Sequence, residues 1–288
     1  MLTAVKNYLP LFKFRICSLI TFSAVVGLIS TSSLNITPVT IFYLIILTMM
    51  ASAGASMFNH YFDMDIDAIM QRTKKRPIPS GEVVDSRFIL VIAVSLFTIS
   101  ILISFKALNY MAGLHLFLGG FVYAIVYTVW LKRRSWINII IGGLAGSFAV
   151  LAGGASAAPE LCLPPIFLAV TMFFWTPSHF WSFAIVHREE YEKAGIPMLP
   201  NIIGDSRTAS YILINTILLV ISTLLPLFFG YFSAFYAVVV FSLGAFFIIR
   251  NIQLMLNISK EIAWKNFKAS MIYLGGLFLA VIIDVSFF

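Results

Sequence analysis

The sequence predicts an all-α fold, a polytopic membrane protein with about nine transmembrane helices around a central cavity. Three observations carry this expectation. Of 288 residues, 60% are hydrophobic and only 11% charged, and the mean hydropathy is +0.98. Apolar runs of about 20 residues, the length that crosses a bilayer core, recur from one end to the other. The basic residues gather between those runs and on one side of them.

The expected spans are 14–33, 38–60, 87–105, 109–131, 136–157, 164–186, 208–230, 232–250 and 268–287. The first starts too late and runs too far for a cleaved signal peptide, so it reads as a true helix. Lys6, Lys13 and Arg15 precede or open it. Arg72, Lys74, Lys75, Arg76 and Arg87 lie between the second and third spans, and Lys132, Arg133 and Arg134 between the fourth and fifth. Arg188, Lys193 and Arg207 follow the sixth, and Arg250, Lys260, Lys265 and Lys268 the eighth. All of the 19 basic residues except Lys106 therefore share one side. The positive-inside rule places the N-terminus in the cytoplasm and the C-terminus outside. The net charge of +7 then answers to topology and anionic lipid, not to nucleic acid. Cys17 and Cys162 are isolated, which excludes a disulfide framework or a CxxC metal site. With no low-complexity linker, residues 1–288 read as a single transmembrane domain.

Outward connections at 34–37, 106–108, 158–163 and 231 are short, whereas the inward ones at 61–86 and 187–207 are long and dense in charge. Long loops in a compact protein are usually functional or disordered. These two follow the second and sixth spans, an arrangement of two related halves that meet at a cytoplasmic-side site.

In the first loop Asn59, Asp63 and Asp67 stand four residues apart. Four residues turn an α-helix by about 400°, so the three side chains share a face. Asp65 points the other way, toward an Arg or a second metal. The run Arg72-Thr73-Lys74-Lys75-Arg76-Pro77 follows directly. Mg²⁺ is held by one or two carboxylates plus substrate phosphates, and Lys or Arg supply further countercharge. At a membrane boundary this is the equipment for the Mg²⁺-diphosphate of a lipid, hence for an enzyme acting on a prenyl diphosphate. The plainer alternative is a solvated acidic helix end and a topogenic anchor. Lys132-Arg133-Arg134, after Tyr127 and Trp130, fits either an aromatic belt or diphosphate binding.

The second loop follows Thr176-Pro177-Ser178-His179-Phe180-Trp181. Pro177 loosens a helix inside the membrane, where freed backbone groups need a protein-lined or wet cavity. Glu190 is the candidate second metal ligand, assisted by Glu189 or Glu192. Two metals would neutralise a departing pyrophosphate. His179, an ionisable group in a span, is a candidate for substrate binding by default. His60, about 100° from Asn59 on its helix, is the second such candidate; His115 and His187 read as structural.

The run Asn59-x3-Asp63-x-Asp65-x-Asp67-x2-Met70-x-Arg72-Thr73-x2-Arg76-Pro77 resembles the first motif of the intramembrane aromatic prenyltransferase superfamily. Pro177-x-His179-Phe180-Trp181 and Tyr191-x2-Ala194-Gly195-Ile196-Pro197-Met198-Leu199-Pro200 look like its heme O synthase branch. Tyr127-Thr128, Lys132-Arg133 and Asn138-x3-Gly142-Gly143-x2-Gly146 extend the match. The chain departs from the branch at Phe12-Lys13-Phe14-Arg15, where Thr-Lys-Pro-Arg is common, and at Glu190, usually Asp.

The resemblance implies a bundle open laterally to lipid, Mg²⁺ as cofactor, and farnesyl diphosphate and heme B as substrates. It assigns Asn59, Asp63, Asp67 and Glu190 to metal, and Arg72, Arg76, Lys132 and Arg133 to phosphate. Tyr127 joins the catalytic set, with His179 and His60 on the heme side. A heme A synthase or a terminal oxidase assembly system would take the product. The rival readings are a prenyltransferase acting on a quinone precursor or lipid alcohol, and a heme or ion transporter.

Overall fold

The computed structural model describes residues 8–32, 36–83, 85–160 and 162–288. Lys6, the end of the first expected span and half of the 34–37 connection fall outside them, as do single positions of the 61–86 and 158–163 connections. Nine long helices are present among the described residues: α1 (Phe14–Ile29), α2 (Pro38–Phe62), α3 (Ser86–Ala107), α4 (Tyr110–Leu131), α5 (Asn138–Ala157), α6 (Leu163–Val186), α7 (Asp205–Phe228), α8 (Ala234–Leu256) and α9 (Lys260–Phe287). Eight are long and apolar enough to cross a membrane; α6 is the exception. It carries Thr171, Ser178 and Ser182, all fully buried, and it packs against α5, α7 and α9. A helix screened from lipid by neighbours needs less apolar surface of its own.

Helix starts follow local chemistry. Thr37 accepts from the Thr40 amide ahead of Pro38, Asp85 from the Phe88 amide, and Asn109 from the Ala112 amide. Each satisfies an orphan first-turn N–H. The last helix begins at Lys260, eight residues before the expected 268. Ser259 caps it through the Ile262 amide, and Glu261 pairs with Lys265 at 2.6 Å. An i,i+4 pair and a cap make two charged turns helical that hydropathy alone excludes.

The helices form two groups. In the first, α2 packs on α1 and α3, and α4 on α3 and α5; in the second, α6 packs on α7 and α9, and α8 on both of those. Contacts of α1 with α9 and of α5 with α6 join them. At the α1–α5 crossing, a Cβ on Gly153 would stand 1.7 Å from the Ala24 carbonyl oxygen and one on Gly27 2.1 Å from that of Val150. Only glycine permits that approach, the small-residue packing that membrane helices use where burial supplies little drive.

Two departures from regular helix position the site. Helix α2 ends at Asp63, which opens the short helix Met64–Ile69. From Val122 to Leu131, α4 is wound as a π-helix, and the Lys132 amide donates to the Tyr127 carbonyl five residues back at 2.8 Å. Wider turns of this kind recur at functional sites.

Candidate active site

The acid stripe survives the break in α2. The Asp63 amide still bonds to the Asn59 carbonyl at 2.9 Å, and the Asp67 amide to the Asp63 carbonyl at 2.7 Å. Four-residue spacing is thus held across the junction, and Asn59, Asp63 and Asp67 are all nearly inaccessible, at 4%, 1% and 2% exposure. Asn59 is the hub. Its amide nitrogen donates to Asp63 Oδ2 at 2.7 Å and to Thr128 Oγ1 at 3.0 Å, while its oxygen accepts from Lys13 Nζ at 2.9 Å. The π-helical turn presents Thr128, whose hydroxyl donates to the Tyr123 carbonyl.

Cations enclose the carboxylates. Lys132 Nζ donates to Asp63 Oδ2 at 2.5 Å and Arg76 to Asp67 Oδ2 at 2.6 Å. The turn after Met70 folds Arg76 back, anchored by Thr73 Oγ1 on the Asp67 carbonyl at 3.0 Å. Arg133 faces elsewhere. It forks onto both oxygens of Asp65 at 2.7 Å and onto the Phe62 carbonyl at 2.6 Å. That pair lowers the Asp65 carboxyl below its usual range and raises the Arg133 guanidinium.

The second loop reaches the first through Arg72. Its amide donates to Glu190 Oε2 at 3.2 Å, and its guanidinium lies 5.3 Å from the centre of the Phe183 ring. Glu190 Oε1 also stands 3.3 Å from His187 Nδ1. Tyr191, buried below the same loop, has its phenol pushed up by desolvation, with Arg72 and Arg76 opposing the shift. Glu189 pairs with Lys260 at the surface.

From Arg72 a series of rings runs along α6 and α9. Phe183 lies 5.2 Å from Phe267, Phe267 is stacked 4.4 Å from His179, and His179 4.3 Å from Trp175. His179 Nδ1 is 2.7 Å from Ser270 Oγ. His60 belongs to the acid cluster: it is 2% exposed, and its Nδ1 is 4.0 Å from Asp67 Oδ2. Tyr127 stacks on Tyr123 at 5.8 Å and lies over Gly142, where a Cβ would stand 2.8 Å from its ring.

Lys13, Thr73, Thr128, Phe183 and Phe267 join the site without having been singled out for it. Lys13 carried two signals: it reads as a topogenic charge, and it keeps the lysine of the Thr-Lys-Pro-Arg pattern that the resemblance brings. In the structure its backbone is left-handed at φ 45°, a strained state for a non-glycine residue and one common at functional sites.

Among the described residues, no three His, Cys, Asp or Glu side chains converge to hold a metal by themselves. Mg²⁺ does not require that, since it binds through one or two carboxylates plus phosphate oxygens and water. The buried Asp63 Oδ1 has no hydrogen-bond partner, so the hard-oxygen pair Asp63 and Asp67 fits such an ion. Hollows of about 320 Å³ beside Arg250 and Lys265 and about 500 Å³ beside Ser30 and Tyr231 lie away from this cluster.

The UbiA prenyltransferase family matches residues 20–281. Protoheme IX farnesyltransferase 1 of Paramagnetospirillum magneticum is 44% identical over 279 residues, 97% of this chain and 98% of its own. The protoheme IX farnesyltransferase of Bartonella quintana is 37% identical over 98% of this chain and 91% of its own. Among solved structures, a digeranylgeranylglyceryl phosphate synthase superposes with TM-score 0.81 at 21% identity over 99% of both chains. A UbiA homolog from Archaeoglobus fulgidus bound to DMAPP and Mg²⁺ superposes with TM-score 0.66 at 17% identity, over 96% of this chain and 99% of its own. These two share the fold.

Proposed function

The chain belongs to the UbiA prenyltransferase family, and from that premise we propose that it transfers the farnesyl group of farnesyl diphosphate to a vinyl group of heme B, giving heme O and diphosphate. The observation that carries this reading is the cluster in which Asn59, Asp63 and Asp67 meet Lys13, Arg76 and Lys132. It joins hard-oxygen donors and cations at one end of an otherwise apolar bundle.

Asp63 and Asp67 would hold Mg²⁺, with Glu190 assisting from the second loop. When bound, Mg²⁺ neutralises oxygens of the diphosphate and makes it a better leaving group. Lys132 and Arg76, now on the carboxylates, would transfer their N–H donors to phosphate oxygens, and Arg72 would add a third cation. The allylic C–O bond breaks with its electron pair going to pyrophosphate. The vinyl carbon of heme B bonds to the farnesyl C1, water adds to the resulting cation, and one proton is lost. Aromatic faces beside the site stabilise positive charge on the prenyl carbon. The rings from Phe183 to Trp175, with His179 among them, offer a flat wall for the porphyrin.

The N-terminus and both long loops would be cytoplasmic and the C-terminus outside, so that soluble diphosphate leaves into the cytoplasm. The product would pass to a heme A synthase or a terminal oxidase assembly system.

Mass spectrometry of hemes tests the proposal, after purified protein is incubated with heme B, farnesyl diphosphate and Mg²⁺. A Mg²⁺-dependent hydroxyethylfarnesyl heme is expected. Unchanged heme B, with prenyl transfer to a quinone precursor or lipid alcohol in its place, would overturn the acceptor.

A further inference from the structure

The acid cluster also contains an imidazole to which the reaction above gives no role. His60 is 2% exposed, and among the described residues neither Nδ1 nor Nε2 has a hydrogen-bond partner. A buried imidazole with both nitrogens unmatched is rare in a folded protein and calls for an explanation such as an absent water or ion. The residue follows the hub Asn59 in α2, and the break at Asp63 brings the short helix Met64–Ile69 beside it. Its Nδ1 thereby stands 4.0 Å from Asp67 Oδ2.

Several ligands can satisfy such a nitrogen, and charge selects among them. Lys13, Arg76 and Lys132 stand around Asp63 and Asp67, more cations than carboxylates. A protonated His60 would add to that excess, so the ring serves best as a neutral lone-pair donor. A divalent ion between His60 and Asp67 would gain a nitrogen and an oxygen ligand. Bonds of about 2.1 Å put neighbouring ligand atoms roughly 3 Å apart, so a closure of about 1 Å suffices. The added positive charge would need an anion in the same site, and a diphosphate supplies it.

We propose that His60 is a nitrogen ligand to the divalent metal that enters with the prenyl diphosphate, paired with Asp67. This rests on reading the cluster as a metal–diphosphate site. It goes further in predicting a mixed nitrogen–oxygen donor set. Such a set binds Mn²⁺ more tightly than Mg²⁺, because imidazole suits transition metals and Mg²⁺ prefers oxygen alone.

The test is pulsed electron paramagnetic resonance of Mn²⁺ bound to the full-length protein with farnesyl diphosphate, using protein labelled with ¹⁵N-histidine. A ¹⁵N coupling from a directly bonded nitrogen is expected. His60→Gln should abolish it and weaken Mn²⁺ binding about tenfold or more, while farnesyl diphosphate still binds without metal. His179→Gln should leave the coupling intact. Bound Mn²⁺ without nitrogen coupling would overturn the role of His60 and leave the metal–diphosphate site standing. If no Mn²⁺ binds even with diphosphate, the site reading and the inference fail together. Coupling that persists in His60→Gln assigns the nitrogen to another residue and also overturns the inference.

Discussion

Asp63 touches two side chains with opposite electrostatic purposes. Asn59 donates to it as a neutral group that fixes its rotamer, and Lys132 as a cation that offsets its charge. Asp63→Asn keeps the shape and removes the charge. It should lower kcat about 100-fold or more while the protein stays folded in membranes, read by heme analysis beside a thermal melt. Adjacent Lys132 and Arg133 make a sharper comparison, since Arg133 is committed to Asp65 and the Phe62 carbonyl. Lys132→Ala should cost activity on the scale of Asp63→Asn, whereas Arg133→Ala should change it only a few-fold. The Asp65–Arg133 pair has a pH signature of its own. Arg133 lowers the folded-state pKa of Asp65, so the stabilisation is present above the unfolded value near 3.9 and is lost as pH falls through the folded one. Both side chains are well exposed, so the pair contributes about 0–1 kcal/mol. Melts of Asp65→Asn and the parent chain should therefore differ slightly at neutral pH and converge in acid. His179→Ala should weaken use of heme more than binding of farnesyl diphosphate; equal loss of both would remove it from the heme side.

At the scale of the element, α6 shows how a proline is accommodated inside a membrane bundle. Pro177 has no N–H, yet the helix runs on from Leu163 to Val186. Asn215 of α7 donates to the Phe174 carbonyl at 2.5 Å and to Ser178 Oγ at 2.7 Å. Ser178 meets Thr216, Thr216 donates to Asn251 Oδ1, and Asn266 donates to Asn251 and Ser182. Four helices are tied by one buried polar network. Asn215→Leu removes the side-chain donor to the loosened turn and should destabilise the protein by about 1–3 kcal/mol. The check is a lowered melting temperature in detergent, with Mn²⁺ binding unchanged. The π-helical turn of α4 plays the corresponding part in the first half by presenting Thr128 to Asn59.

Across the whole molecule, the first group of helices is closed by the α1–α5 crossing, which depends on backbone approach at Gly27 and Gly153. Gly153→Leu puts a branched side chain where the Ala24 carbonyl stands. Overpacking of this kind costs about 1–3 kcal/mol or more, and here it should prevent α1 from seating and lower the yield of folded protein. Cysteines introduced in residues 72–83 and at 230 should label from opposite faces of sealed membranes. Labelling from one face would overturn the proposed orientation.

Hydropathy, charge placement and four-residue spacing determine much of this protein before it folds. They specify a membrane bundle, the helix order and, apart from the end of α8 and the start of α9, the helix bounds within a few residues, and Asn59, Asp63 and Asp67 as a unit. These features are periodic or local, so they persist in a linear text. The tertiary structure alone decided which cation serves which acid. Lys13 reads as a topogenic charge until a left-handed turn lays it on Asn59, and neighbours Lys132 and Arg133 diverge because the helix ends beneath them. It also placed His60 beside Asp67: residues seven apart share a face of a regular helix but stand two turns, about 10 Å, apart, and the break at Asp63 closes that gap. Contacts between residues distant in sequence depend on how helices cross, and that follows from packing the whole bundle, not from any one segment.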